Sequence, residues 1–162
     1  MSAYLIRNVA VLGGEPTDVL LADGVVAGIG AALEGGDAQV VDGTGLIALP
    51  GLVDLHTHLR EPGREDAETV ETGTRAAALG GFTAVHAMAN TEPVADTAGV
   101  VEQVWRLGRE AGHCDVYPVG AVTVGLQGER LAGLGAVAGP APPARALSDD
   151  GKGGRRPVLG RR

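Results

Sequence analysis

The sequence predicts an α/β fold: a parallel sheet of strand-helix units preceded by a small antiparallel β-sheet. Three observations carry this. The first 50 residues contain β-rich runs broken by Gly and Pro. After Pro50-Gly51 the pattern changes to apolar strand, polar segment, helix, apolar strand. Aromatic residues make up only 2% of a chain that is 44% hydrophobic, so the core must be built from Val, Leu, Ile and Ala in close layers.

In the first segment, residues 3–12 and 17–30 read as strands, and Asp23-Gly24 marks a hairpin turn between alternating apolar positions. Gln39-Val-Val-Asp reads as a third strand, closed by Gly43-Thr44-Gly45. In the second segment, Leu52-Val-Asp-Leu-His-Thr-His is strand-like, and Ala67 to Leu79 is helix-like, with Glu68 and Glu71 near its start. Phe82 to Ala89 is again a strand, Thr97 to Ala111 a helix and Val116 to Val124 a strand. Gly80-Gly81 reads as the break between helix and strand; no Lys-Ser/Thr follows to make it a phosphate cradle. This spacing suits either a barrel or a doubly wound sheet. From about Gly133 the composition shifts to Gly, Ala, Pro and Arg, and regular structure is expected to stop. The expected organisation is therefore a β-sheet segment over 1–50, strand-helix units over 51–152 and an off-pattern basic tail over 153–162.

Charge and composition narrow the function. All 20 acidic residues lie at or before Asp150, where they face eight basic ones, so the body carries −12; the other five basic residues lie beyond. An acidic body argues against nucleic acid as partner. The basic tail has no aromatic, Asn or Gln side chain with which to stack on or read bases. No stretch approaches the roughly 18 apolar residues of a membrane span, and the N-terminus lacks a basic region followed by an apolar run. A single cysteine, Cys114, excludes an intramolecular disulfide and fits a reducing compartment. A cytoplasmic protein acting on a small molecule is expected, with no membrane and no nucleic-acid partner.

The chemistry concentrates in Asp54-Leu-His-Thr-His-Leu-Arg-Glu-Pro-Gly. Residues two apart on a strand share a face, so His56 and His58 are expected to project both imidazoles to one side at the strand's C-terminal end. Two imidazoles suit zinc or a similar ion, whose catalytic sites add a carboxylate and keep a position open for water. His86, inside the apolar run Thr83-Ala-Val-His-Ala-Met, reads as a core or barrel-lining residue. His113 is expected at a helix end, where its ring can meet the last carbonyls.

The run Leu49-Pro-Gly-Leu-Val-Asp-Leu-His-Thr-His-Leu-Arg-Glu-Pro-Gly resembles the first metal-binding strand of the amidohydrolase superfamily, and specifically the dihydroorotase pattern. Hydantoinases and allantoinases share the His pair but usually not the Arg two residues after it. The resemblance continues through Glu68 to Val85, through Ala87-Met-Ala-Asn-Thr-Glu-Pro-Val, and in Ser148-Asp-Asp-Gly-Lys. It implies an incomplete (β/α)8 TIM-type barrel of about four strand-helix units. It also implies one or two Zn2+ ions, with His56, His58 and Asp150 as ligands and Asp149 the alternative to Asp150. Arg60 and Asn90 become substrate residues: a guanidinium grips a carboxylate bidentately, and an amide pairs with a ring imide. Asp54 either fixes a ligand ring or closes the strand end. The implied reaction is the reversible hydrolysis of dihydroorotate to N-carbamoyl-aspartate in pyrimidine biosynthesis, by a metal-activated water. The proton-shuttling Asp and two further His ligands would come from later strands that this sequence does not hold. The alternatives are a dihydropyrimidinase or allantoinase type of hydrolase, or a noncatalytic homologue serving as an assembly partner.

Two departures from the pattern carry expectations. Ala89 replaces the usual Pro before Asn-Thr, predicting a less rigid loop at Asn90. Pro-rich 139–143 stands where a strand should approach Asp149-Asp150. A half barrel exposes strand edges, so the isolated chain is expected to be inactive, to fold poorly, or to need a partner, either another copy or a carbamoyltransferase. The off-pattern tail suggests an interrupted or frame-shifted reading of a longer gene.

Overall fold

The computed structural model describes residues 3–139 and 144–152 of the 162-residue chain. The basic tail and most of the Pro-rich stretch lie outside the described residues. The chain divides at Pro50/Gly51 into two compact units.

The first unit is a sheet of β1 (Tyr4–Val11), β2 (Pro16–Ala22), β3 (Val25–Gly30), β4 (Gln39–Asp42) and β5 (Ile47–Ala48), in the order β3-β2-β1-β4 with β5 also on β1. The β2-β3 hairpin closes through Asp23 and Gly24, both at positive φ (53° and 79°). That is the two-residue turn whose twist matches the flanking strands, and Asp-Gly favours it. The sheet is mixed, where a wholly antiparallel one was expected: β4 and β5 run parallel to β1. Hairpin chemistry marks only adjacent antiparallel pairs, and the link from β3 to β4 carries no such mark. Asp18, only 8% exposed, ties this sheet together. Its carboxylate accepts from the Asn8 and Leu33 N–H groups and pairs with the Arg7 guanidinium. The Asn8 N–H foremost, and then Arg7, hold that carboxyl below its usual range against the opposing effect of burial.

The second unit is a parallel sheet of β6 (Leu52–Thr57), β7 (Phe82–Ala87), β8 (Asp115–Gly120) and β9 (Ala146–Leu147), in that order. Helix α1 (Val70–Leu79) links β6 to β7, and α2 (Ala98–Ala111) links β7 to β8. A short α3 (Leu134–Val137) lies between β8 and β9. Helix α1 begins three residues later than its apolar pattern suggests, because Thr69 forms a capping box with Thr72. The Val70 N–H then donates to Glu61 Oε2 at 2.7 Å. Helix α2 ends at Gly112 in the left-handed conformation, as helices closed by glycine do.

Leu59, Val70, Val85, Val104 and Val116 bury one side of the sheet under these helices, each contributing about 1.5–3 kcal/mol. Close approach depends on Gly108: a Cβ there would lie 2.4 Å from Val116 Cβ. A second cluster, with Ala89, Val101, Ala121 and Val137, continues the core toward the strands' C-terminal ends. Regular structure thus persists past Gly133. Contrary to the expectation from composition, a short strand does lead to Asp149-Asp150, because the ladder from β8 holds it: Ser148 N donates to Gly120 O at 2.9 Å. On its other edge β6 pairs with no strand among the described residues, and Leu52, Val53 and Leu55 are about half or more exposed.

Candidate metal centre

Three side chains converge at the C-terminal end of the parallel sheet. His56 lies near the end of β6 and His58 one residue beyond it, and their Nε2 atoms are 3.2 Å apart. Asp150, just after β9, places Oδ1 3.2 Å from His56 Nε2 and 3.8 Å from His58 Nε2. A zinc-sized ion with ligand bonds near 2.05 Å in tetrahedral geometry separates its ligand atoms by about 3.3 Å. Separations of 3.2, 3.2 and 3.8 Å therefore describe one face of such a coordination shell. The donor set, two imidazoles and a carboxylate, has the chemistry such ions take. This cluster could hold a metal ion.

The neighbouring aspartate does something else. Asp149 Oδ1 accepts from the Val122 and Thr123 N–H groups at 3.0 and 2.9 Å, and Oδ2 accepts from the Thr123 hydroxyl at 2.8 Å. It pins the loop after β8. Asp150 is turned the other way by a left-handed backbone (φ 53°) and by its own N–H, which donates to Ser148 Oγ. Its side chain is 17% exposed and meets only the two imidazoles among the described residues. Ser148 was the missed signal: a serine two residues ahead of an aspartate makes a local turn of this kind.

The Asp54 carboxylate does not orient the ring of His56 or His58. Its Oδ1 accepts the backbone N–H of His56 at 2.9 Å and so closes the strand end. The ring contact comes from Asn90, whose Oδ1 lies 2.8 Å from His58 Nδ1. Asn90 reaches this position because the pairing with β6 runs on one residue past the end of β7, with Met88 N donating to O of Thr57, the last residue of β6, at 2.8 Å. The loop that follows is tied down despite Ala89 in place of proline. Glu92 N donates to Pro62 O, Ala95 N to Ala89 O, and Thr91 Oγ1 to Pro93 O. Ala89 itself is fully buried, so packing and hydrogen bonds do what a proline ring would have done.

Arg60 is exposed, at positive φ (63°), two residues beyond His58. Among the described residues its guanidinium has no ion-pair or hydrogen-bond partner, so it is free to take an anion. His86 lines the inner side of the sheet, half-buried, with Nδ1 3.2 Å from Asp54 O and its ring against Tyr117. His113 meets Glu71 Oε1 of α1 at 3.2 Å and not the last carbonyls of α2, because Gly112 turns the chain back toward α1.

The sequence model of the dihydro-orotase-like family matches residues 45–153, two thirds of the chain and all of this site. The chain belongs to that family. A dihydroorotase from Streptomyces coelicolor is 66% identical over 152 residues, covering 94% of this chain and 36% of its own length. One from Mycobacterium tuberculosis is 56% identical over 162 residues, covering 99% and 38%. The chain therefore spans little more than a third of these relatives. Among solved structures, an L-hydantoinase from Arthrobacter aurescens superimposes with a TM-score of 0.66 at 24% identity, over 78% of this chain and 29% of that one. A dihydroorotase crystal structure gives 0.54 at 20% identity, over 77% and 32%. These likenesses support the fold, a parallel sheet corresponding to part of a strand-helix barrel. No helix among the described residues is long and apolar enough to cross a membrane.

Proposed function

We propose that this chain is the metal-binding first part of a cyclic-amide hydrolase acting on dihydroorotate. The observation that carries the reading is the convergence of His56, His58 and Asp150 within the spacing of one coordination shell. A divalent ion, zinc by the donor set, would be held by those three residues. When bound, such an ion polarises a carbonyl and acidifies water for ring opening. Arg60, with no ion-pair or hydrogen-bond partner among the described residues, receives the substrate carboxylate and sets the ring against the imidazole pair. Asn90 keeps its amide Nδ2 free to donate to the substrate while its oxygen faces His58. The acidic loop residues Glu65 and Asp66 stay ionised: Glu65 is held low chiefly by the Gly63 N–H and Asp66 chiefly by Arg64. Asp66 pairs with Arg64, and Arg60 is left without an ion-pair partner among the described residues.

Cobalt titration of the purified chain tests both parts. We expect one tight site with a tetrahedral-type visible spectrum, and a change in that spectrum on adding dihydroorotate that Arg60→Ala abolishes. Hydantoin, which lacks the carboxylate, should act more weakly. Failure to bind zinc or cobalt at all defeats the metal assignment. An equal response to hydantoin and dihydroorotate points to the dihydropyrimidinase type.

A further inference from the structure

We propose that Asn90 is a positioning residue for the metal centre: its carboxamide oxygen accepts the Nδ1–H of His58 and thereby keeps the Nε2 lone pair aimed at His56 and Asp150. This deepens the metal reading above and rests on it.

A neutral imidazole carries one proton on either of two nitrogens, and the hydrogen bond made by one nitrogen decides what the other presents. In His58 the Nδ1 side faces Asn90 Oδ1 at 2.8 Å, while Nε2 faces His56 Nε2 at 3.2 Å and Asp150 Oδ1 at 3.8 Å. A carboxylate beside Nε2 would by itself draw the proton to that nitrogen and block it as a ligand. An acceptor at Nδ1 opposes this. Metal-bound histidines commonly have such an acceptor on the far nitrogen, and its loss typically costs 10–100-fold in metal affinity. Asp54 was the sequence's candidate for this task, but its carboxylate is spent on the His56 backbone N–H. Asn90 is held for it from the neighbouring strand, by the Met88–Thr57 ladder bond and by the buried Ala89 before it. Asn90 is exposed, so its amide supports no core packing, and its position is legible as one of ligand control.

The test uses the full 162-residue chain as wild type, Asn90→Leu and Asn90→Asp. Leucine keeps the shape and removes the acceptor; aspartate restores it. Two readouts are independent. Long-range 1H–15N correlation spectra of the metal-free chain should show His58 protonated at Nδ1 in wild type and Asn90→Asp, and shifted toward Nε2–H in Asn90→Leu. Zinc affinity, by competition with a chromogenic chelator, should fall about 10–100-fold in Asn90→Leu and recover in Asn90→Asp. Backbone amide spectra identify any variant that fails to fold, and the aspartate variant then carries the comparison with wild type. An unchanged tautomer in Asn90→Leu overturns the proposal even if zinc binds. If wild type shows the Nδ1–H form but takes up no zinc, the metal reading fails while the Asn90–His58 bond stands.

Discussion

Two adjacent aspartates separate fold stability from metal affinity, and exchanging their roles would refute the site. Asp149 accepts three hydrogen bonds, from Val122 N, Thr123 N and Thr123 Oγ1, and Thr123 is only 1% exposed. Bonds to a charged acceptor contribute roughly 1.5 kcal/mol or more each, so Asp149→Ala should cost about 3–5 kcal/mol. In urea that moves the unfolding midpoint down by about 1.5–2.5 M for a slope near 2 kcal/mol/M. Asp149→Asn keeps Oδ1 for both N–H groups and loses only the hydroxyl bond, at about 1 kcal/mol. Asp150→Ala, measured in EDTA, should cost only the strain of alanine at a left-handed φ, about 1–2 kcal/mol, less than Asp149→Ala. Adding zinc reverses the contrast. At free zinc 100 times the dissociation constant the wild type gains about 2.7 kcal/mol, whereas a variant bound 100-fold more weakly gains only about 0.4 kcal/mol. The assay is urea unfolding followed by circular dichroism, with and without zinc. If Asp150→Ala costs several kcal/mol in EDTA, or if it gains as much from zinc as wild type does, the division of labour is wrong.

Two further outcomes follow from the packing and from one ion pair. Gly108→Ala should destabilise by about 1–2 kcal/mol in urea titration, because overpacking against buried Val116 exceeds the helix propensity gained; Val116→Ala in that background should then cost less than it does alone. Asp18 has its carboxyl held below the ordinary value, so the stability it gives the first unit is full above the unfolded carboxylate pKa near 3.9 and is lost as pH falls from there through the folded value. Acid unfolding of the first sheet should therefore flatten in Asp18→Asn, and an unchanged acid limb in a chevron or circular dichroism titration would count against it.

Much of this was legible in the sequence, for physical reasons that differ by element. Asp23-Gly24 fixed the hairpin because few dipeptides accept two consecutive positive φ values. The end of α2 at Ala111 was legible too, and Gly112 closes it in the left-handed conformation. The His-x-His pair was legible because strand geometry puts alternate residues on one face. The parallel attachment of β4 and β5 to β1 was not, since a pairing across a long connection leaves no local mark. Nor was the persistence of structure past Gly133: β9 is two residues long and rests on a ladder with β8, which no periodicity of its own could announce. Asn90 was singled out by motif, but its contact with His58 depends on the register of β6 and β7.

The position of Asp150 carries the most information about the fold. His56 and His58 come from one edge of the parallel sheet and Asp150 from the other, with β7 and β8 between them. Strands lie about 4.8 Å apart, so in a flat four-stranded sheet the two edges would be separated by about 14 Å, and side chains standing perpendicular to it could not close that distance. Yet His56 Nε2 and Asp150 Oδ1 are 3.2 Å apart. Asp150 lies in a turn three residues beyond β9, which covers part of that span, and a sheet that curls toward an axis, as the strands of a closing barrel do, closes the rest. A doubly wound sheet twists but does not bring its edges to one point above its strand ends. The ligand cluster thus favours the barrel of the two architectures that the alternation of strand and helix left open, and it does so from three side-chain atoms contributed at and beyond the ends of two strands that never touch.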